Sequence, residues 1–220
     1  MKPRLLDLFC GAGGAAMGYA RAGFEVVGVD IKPQPHYPFE FVHDDALTWL
    51  DDPWLREKFN AIHASPPCQA FTFAKVFQGN EHPDLLTPTR ELLEQTGLPW
   101  VIENVPGAPM RKDLILCGTQ FGLEADGFEV RRHRWFEFSD PQMAPLVPPC
   151  WHRLPPIYGS GHSQDKPHKT KYGFCGAATC KKAMDVEWMN RGEQQEAIPP
   201  AYTELIGHQL LQHIRAEAVA

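Results

Sequence analysis

The sequence predicts an α/β fold with a largely parallel sheet. Three observations carry that reading. Short apolar runs recur along the chain, each ending at a glycine, a proline or an acidic residue. Segments of helical periodicity fall between them, the order expected when crossover helices join parallel strands. A length of 220 residues, with 43% hydrophobic and 22% charged side chains, suits one globular domain with at most a small appendage.

The elements follow in order. Leu5-Leu6-Asp7-Leu8-Phe9 is a short buried strand that stops at a glycine cluster. Gly14 to Ala22 carries small and apolar residues at helical spacing, and Gly23 ends it as a C-terminal cap. Glu25-Val26-Val27-Gly28-Val29 is a second strand ending at Asp30, completing a strand–turn–helix–strand unit. Phe39 to Val42 is a third strand, leading to Asp44-Asp45. Ala61 to Ala64 is a fourth, stopped by Ser65-Pro66-Pro67. A helix covers Pro88 to Gln95 with Gly97 as its stop, and Trp100 to Glu103 is a fifth strand. Leu114 to Leu116 and Trp135 to Phe138 are further strands. From Pro141 to about Ala183 prolines and glycines accumulate and periodicity is lost, which marks an irregular insert. A helical stripe, Tyr202, Leu205, Ile206, Gln209, Leu210 and His213, returns after Pro199-Pro200, where proline suits a first helical turn.

Composition narrows the function classes. No apolar stretch approaches the roughly 18 residues of a membrane helix, and Met1 to Phe9 reads as a first strand and not as a signal peptide. The expected location is the cytoplasm, with no membrane partner. Six cysteines without regular spacing do not form a disulfide framework. The net charge of −6 counts mildly against a nucleic-acid partner. Its distribution softens that objection. His152 to Lys182 holds six basic residues against Asp165 alone, a local +5 that leaves −11 for the remainder.

Four groups of residues carry chemistry. The first is Asp7-Leu8-Phe9-Cys10-Gly11-Ala12-Gly13-Gly14 with Asp30 downstream. Glycines at a strand-to-helix turn let a ligand approach the backbone closely, and an acid after the second strand accepts ribose hydroxyls. On its own this says nucleoside cofactor; a tight structural turn is the plain alternative. The second is Ser65-Pro66-Pro67-Cys68-Gln69, which puts a thiol at the carboxyl edge of the sheet after a stiffened backbone. The third, Ile102-Glu103-Asn104-Val105, places a carboxyl at the same edge. The fourth is Arg131-Arg132-His133-Arg134, for which a charged surface face is a closer rival than the plain alternatives to the other three.

In this order the motifs resemble the DNA cytosine-5 methyltransferase family: glycine-rich, Pro-Cys, Glu-Asn-Val, arginine and C-terminal cofactor motifs appear in family sequence. The Asp/Asn/Ser-Pro-Pro-aromatic signature of the amino-methylating enzymes is absent, because position 68 is Cys. The resemblance implies a Rossmann-like S-adenosylmethionine-dependent methyltransferase fold with a small irregular insert. Residues 1–139 would form the catalytic and cofactor-binding domain, 140–183 a reduced target-recognition insert, and 184–220 a return to the catalytic domain. It also implies double-stranded DNA as partner, a monomer, and methyl transfer to carbon 5 of cytosine. Carbon 5 is a poor nucleophile until a thiolate adds to carbon 6, so Cys68 is the implied nucleophile. Glu103 would donate to N3, which needs a raised pKa. Arg134 would hold the base's carbonyl oxygen, with Arg132 in support. The target base would be flipped into the site, with Gln69 and Asn104 on the substrate side. By the same resemblance Phe9, Gly11, Gly13, Asp30, Asp45 and Pro67 would contact the cofactor, Asp44 competing with Asp45 near the adenine amine.

Departures are visible too. The arginine motif opens with Val130 where the family has Gln, and Gly207-His208 stands where the family has Gly-Asn; His208 would meet the cofactor's methionine end or, as the alternative, an extra carboxylate on a modified cofactor. The insert is far shorter than a usual target-recognition domain, like those of phage-encoded and orphan members; a phage source would make the location the host cytoplasm. Its Lys166, Lys169 and Lys171 would meet phosphates; so short an insert predicts a short or relaxed target site, with a separate specificity partner as the alternative. The rival functions are a catalytically silent DNA-binding protein or split-enzyme subunit, and a tRNA cytosine-5 methyltransferase. Cys150, His152, Cys175 and Cys180 offer zinc ligands, but their spacing is not that of a zinc motif. The sequence therefore assigns no metal and reads them as unpaired thiols. Cys10 and Cys117 read as small core residues.

Overall fold

The computed structural model describes residues 2–67, 84–157 and 176–217. Its strands and helices arise where the sequence alternates apolar runs with glycine and proline stops. β1 (Arg4–Leu8) leads through the glycine turn into α1 (Gly14–Ala22), then β2 (Glu25–Asp30) and β3 (Glu40–His43). Two short helices, α2 (Ala46–Leu50) and α3 (Leu55–Lys58), precede β4 (Ala61–Ala64). α4 (Leu86–Thr96), β5 (Trp100–Asn104) and β6 (Leu114–Leu116) follow. A small hairpin, β7 (Glu124–Ala125) and β8 (Phe128–Val130), comes before β9 (Arg134–Phe138). β10 (Pro156–Ile157), α5 (Ala177–Met184), α6 (Arg191–Glu196) and α7 (Pro200–Glu217) complete the order.

The main sheet has seven strands in the order β3-β2-β1-β4-β5-β9-β6. β1 to β5 are parallel, and β9 runs antiparallel between β5 and β6. The chain winds outward from β1 to β3, then restarts on the other side of β1 with β4. That reversal opens a crevice at the carboxyl ends of β1 and β4, where open α/β sheets bind ligands.

Period-two alternation assigns each strand residue to one of two layers. Leu6, Leu8, Val27, Val29, Ile62, Ala64 and Ile102 pack with α2, α3 and α4. Leu5, Val26, Ala61, Val101, Phe136 and Phe138 pack with α1 and α7. Each large side chain buried this way contributes roughly 1.5–3 kcal/mol, so this two-sided core fixes the strands that carry the site. α1 and α7 lie unusually close: a Cβ at Gly18 would stand 2.1 Å from both Pro200 O and Thr203 Oγ1. Thr203 Oγ1 donates to Ala15 O at 2.8 Å across the same contact. No described helix is long and apolar enough to cross a membrane.

The insert is less irregular than its composition predicts. β10 pairs with β8, and β8 with β7, in a separate three-stranded sheet. α5 covers that sheet through Ala183 and Met184, in a cluster with Ala125, Val130 and Ile157. The unit thus recruits residues from before the arginine motif. Val130, where the family has Gln, is fully buried there, and its backbone sits so close to Gly118 that a Cβ at 118 would meet Val130 O at 2.5 Å. An apolar residue at 130 serves this packing.

Candidate active site

The crevice is lined from two sides. On the β1 side, Phe9 and Gly11 take left-handed φ of 57° and 50°, and Gly13 takes 83°. Gly13 also has Pro38 Cδ 2.7 Å from where a Cβ would be, so no larger side chain fits. The sequence reading has both glycines offering backbone contacts to a ligand. The structure gives their N–H groups other partners: Gly11 N donates to Asp30 Oδ2 at 3.0 Å, and Gly13 N donates to Cys10 O at 3.1 Å. Space beside Gly11 is nonetheless open, with nothing within 4 Å of a built Cβ.

The other oxygen of Asp30 accepts from Lys32 N at 2.9 Å, fixing the carboxylate on the turn after β2. Each carboxylate oxygen keeps a second lone pair for a hydroxyl. Beside it Ile31 is 66% exposed, an apolar shelf that the sequence reading missed; its signal was the single apolar residue right after the strand-end acid. Asp44 extends β3, its N–H donating to Asp30 O at 3.1 Å, and its carboxylate accepts from Trp49 Nε1. Asp45 caps α2, accepting from Leu47 N at 2.9 Å. Pro67 is exposed at the mouth of the crevice.

His208 is not brought to this loop. It lies exposed on α7, and its neighbour Gly207 is packed against Ala22 and Tyr19. Ala22 ends α1, about 12 Å of helix from Gly14, and Tyr19 stands about 7.5 Å along it. The C-terminal segment that does reach the glycine loop is earlier. Ile198 O lies 2.4 Å from a built Cβ on Gly14, and Trp188 Nε1 donates to Ala12 O at 2.9 Å. Gly207-His208 is like Gly-Asn in its letters, while the packing on the glycine loop runs through Trp188 and Ile198.

On the β4–β5 side, the layer facing α1 turns polar toward the strand ends: Asp7, His63 and Glu103 are all buried in it. Tyr19 OH and His63 Nδ1 are hydrogen-bonded at 2.9 Å, and His63 Nε2 and Ser65 Oγ at 2.8 Å. Burial pushes His63 down to about 3, so the imidazole is neutral. Burial pushes the Glu103 carboxyl up, opposed by Arg134, Arg132 and a hydrogen bond from the Ser65 side chain. Arg134 Nε stands 2.7 Å from Glu103 Oε1. Arg132 is buried; its guanidinium donates to Gln195 O, and Tyr202 OH donates to its carbonyl at 2.6 Å. Asn104 is buried and its Nδ2 donates to Pro66 O at 3.0 Å. That bond ties the end of β5 to the segment that leads into Cys68. Cys68, Gln69, Lys166, Lys169, Lys171 and Cys175 lie outside the described residues.

A buried carboxyl raised by burial, paired with an arginine and one strand away from a Pro-Pro-Cys segment, stands opposite an acid-anchored glycine loop. The C-5 cytosine-specific DNA methylase family model matches residues 3–114, from β1 through β5 to the first residue of β6. The chain belongs to that family.

Two curated relatives of this family member are the Type II methyltransferases M1.HphI of Haemophilus parahaemolyticus and M.AgeI of Thalassovita gelatinovora. The first is 36% identical over 81 residues, covering 31% of this chain and 22% of the relative. The second is 24% identical over 177 residues, covering 66% of this chain and 41% of the relative. The chain thus spans less than half the length of either. A solved structure described as a DNA modification methyltransferase encoded within a prophage, from E. coli, superposes with a TM-score of 0.60 at 15% identity. It covers 97% of this chain and 99% of that one, a likeness of fold over nearly the whole length.

Proposed function

We propose that this methylase family member transfers a methyl group from S-adenosylmethionine to carbon 5 of cytosine in DNA. The observation that carries the reading is the junction of β4 and β5: Glu103, buried and held toward its neutral form, beside Arg134, with Asn104 gripping Pro66 just before Cys68. The residues around the glycine loop fit the cofactor. Gly11 leaves open space, Asp30 is oriented with lone pairs to spare, and Ile31 presents an apolar surface for a base. Phe9 and Pro67 border the same space, and Asp44 or Asp45 would meet the adenine amine. When bound, the cofactor supplies an electrophilic methyl group.

The chain's own residues do the rest. The Cys68 thiolate adds to carbon 6 of a flipped cytosine, forming a carbon–sulfur bond and raising electron density at carbon 5. Protonated Glu103 donates to N3 and takes up the charge that the addition places on the ring. Arg134 holds the Glu103 carboxyl and faces the base's carbonyl oxygen, and Arg132 anchors the segment on Gln195. After methyl transfer the carbon 5 proton leaves to a base, the carbon 5–carbon 6 double bond re-forms, and Cys68 departs as thiolate. Lys166, Lys169 and Lys171 would neutralise phosphates of the duplex.

The test is direct. Duplex DNA incubated with the purified chain and S-adenosylmethionine, then digested to nucleosides, should yield 5-methylcytosine by mass. N4-methylcytosine or N6-methyladenine in its place would refute the assignment of the Cys68–Glu103 site.

A further inference from the structure

Four side chains converge at the sheet edge beside β6 and β9, outside the catalytic crevice: Cys117, His133, Cys150 and His152. Their sulfur and imidazole nitrogen atoms all lie within 4.8 Å of one another. Cys117 Sγ is 3.5 Å from His152 Nε2, and Cys150 Sγ is 3.5 Å from His133 Nε2. The two imidazoles meet edge to face at 74°, centroids 5.4 Å apart. In a tetrahedron with zinc–sulfur bonds of about 2.3 Å and zinc–nitrogen bonds of about 2.0–2.1 Å, each sulfur–nitrogen edge is about 3.5 Å.

We propose that Cys117, His133, Cys150 and His152 form a structural zinc site. Two thiolates and two neutral imidazoles balance the charge of a divalent ion, and sulfur with imidazole selects zinc over the oxygen-seeking cations. Four protein ligands fill the tetrahedron and leave no open position, so the ion is structural. Binding releases the two thiol protons and needs no oxidant. The surroundings support the ligands: Thr119 Oγ1 is 3.4 Å from Cys117 Sγ, and Cys117 N donates to Gln120 Oε1 at 2.7 Å. Gln120 Nε2 in turn donates to Pro148 O at 2.6 Å, bringing the Cys150 segment to the same place.

The ligand set differs from the one the sequence offers. Cys150 and His152 remain, but Cys117 and His133 join them, and Cys180 instead packs on the α5 cluster. Cys117 is buried as expected of a core residue, yet its sulfur faces two polar side chains. All four ligands lie beyond the segment matched by the family model. The site also has a purpose in the fold. Cys117 follows β6 and His133 precedes Arg134, and Leu116 pairs with Arg134 across the two strands. The strap between Ala144 and Pro155 has neither helix nor strand. Zinc would pin that strap over the strand ends from which Arg134 reaches Glu103.

The test uses the full chain purified without chelator. Elemental analysis should find about one zinc per chain, falling below about one tenth in Cys117→Ser and Cys150→Ser and unchanged in Cys180→Ser. Cobalt in place of zinc should give the intense visible bands of a tetrahedral site with a thiolate charge-transfer band. Should the cysteine variants fail to fold, His152→Ala at the exposed ligand should retain the charge-transfer band with altered visible bands. A folded wild-type chain that takes up no stoichiometric zinc would overturn the proposal, leaving hydrogen-bonded thiols only. So would zinc lost on Cys180→Ser, or a cobalt spectrum without thiolate charge transfer.

Discussion

The two sides of the candidate active site are held by different means. Asp30, Ser65, Glu103 and Asn104 stand at the ends of parallel strands whose residues are buried on both sheet faces. Arg132 lies in the link between the short β7–β8 hairpin and the antiparallel β9, Arg134 is the first residue of β9, and the neighbouring strap is fixed by side chains. Glu129 shows how. Its carboxylate accepts from Arg153 N and from Leu154 N at 3.0 Å and pairs with Arg131 at 2.7 Å. The first side is rigid because apolar burial is collective. The second depends on a few polar ties and, by the inference above, on one ion. Each can be perturbed without the other, and that separability is what experiments can break.

The largest effect is expected at the nucleophile. Cys68→Ser should lower methyl transfer by on the order of ten-thousand-fold while leaving S-adenosylmethionine affinity within about twofold. Glu103→Gln should cost about 10²–10⁴-fold in kcat, because the amide cannot deliver a proton to N3. Loss of cofactor affinity in either variant would mean that the two sides are not separable. Metal removal by a chelator should lower kcat about 10–100-fold through Arg134. Titration calorimetry of the stripped protein should show cofactor binding intact, and a parallel loss of binding would break the comparison. Asp30→Ala should weaken S-adenosylmethionine by about 1–3 kcal/mol, the cost of unpaired hydroxyls in a buried site. Calorimetry showing unchanged affinity would remove Asp30 from the ribose.

The smallest effect concerns His63. Its pKa in the folded chain is about 3 against an ordinary 6.5, so the unfolded chain binds the extra proton. The stability this contributes is complete above about pH 6.5 and is lost as pH falls toward 3. The slope is about 1.4 kcal/mol per pH unit for one proton. Urea unfolding of His63→Asn between pH 6.5 and 4 should be flatter than wild type by that slope; equal slopes would show that His63 is not the titrating group.

The same contrast governs what the sequence discloses. The parallel half is legible because strand, stop and helix recur locally. The helix over Gly14–Ala22 and the strands at Ala61–Ala64 and Leu114–Leu116 have the bounds the pattern predicts. Asp30, Glu103 and Asn104 follow from it, since residues at the carboxyl end of a parallel strand border the crevice. The rest needs contacts between distant segments. Nothing local in Cys117 or His133 announces Cys150 and His152. Gly207-His208 has a motif's letters, but the chain reaches the glycine loop through Trp188 and Ile198. α5 hides within a stretch whose prolines and glycines read as irregular.

The central claim is that Cys68 attacks cytosine beside a proton-donating Glu103, and the most direct measurement is covalent capture. Duplex DNA carrying 5-fluorocytosine blocks the final elimination, because fluorine cannot leave as the proton does. With S-adenosylmethionine present, the wild-type chain should form a denaturant-resistant adduct whose mass includes the oligonucleotide and one methyl group. Peptide mapping should place the adduct on Cys68, and Cys68→Ser should form none. Methylation of ordinary DNA with no adduct on the fluorinated strand, or an adduct that persists in Cys68→Ser, would contradict the account.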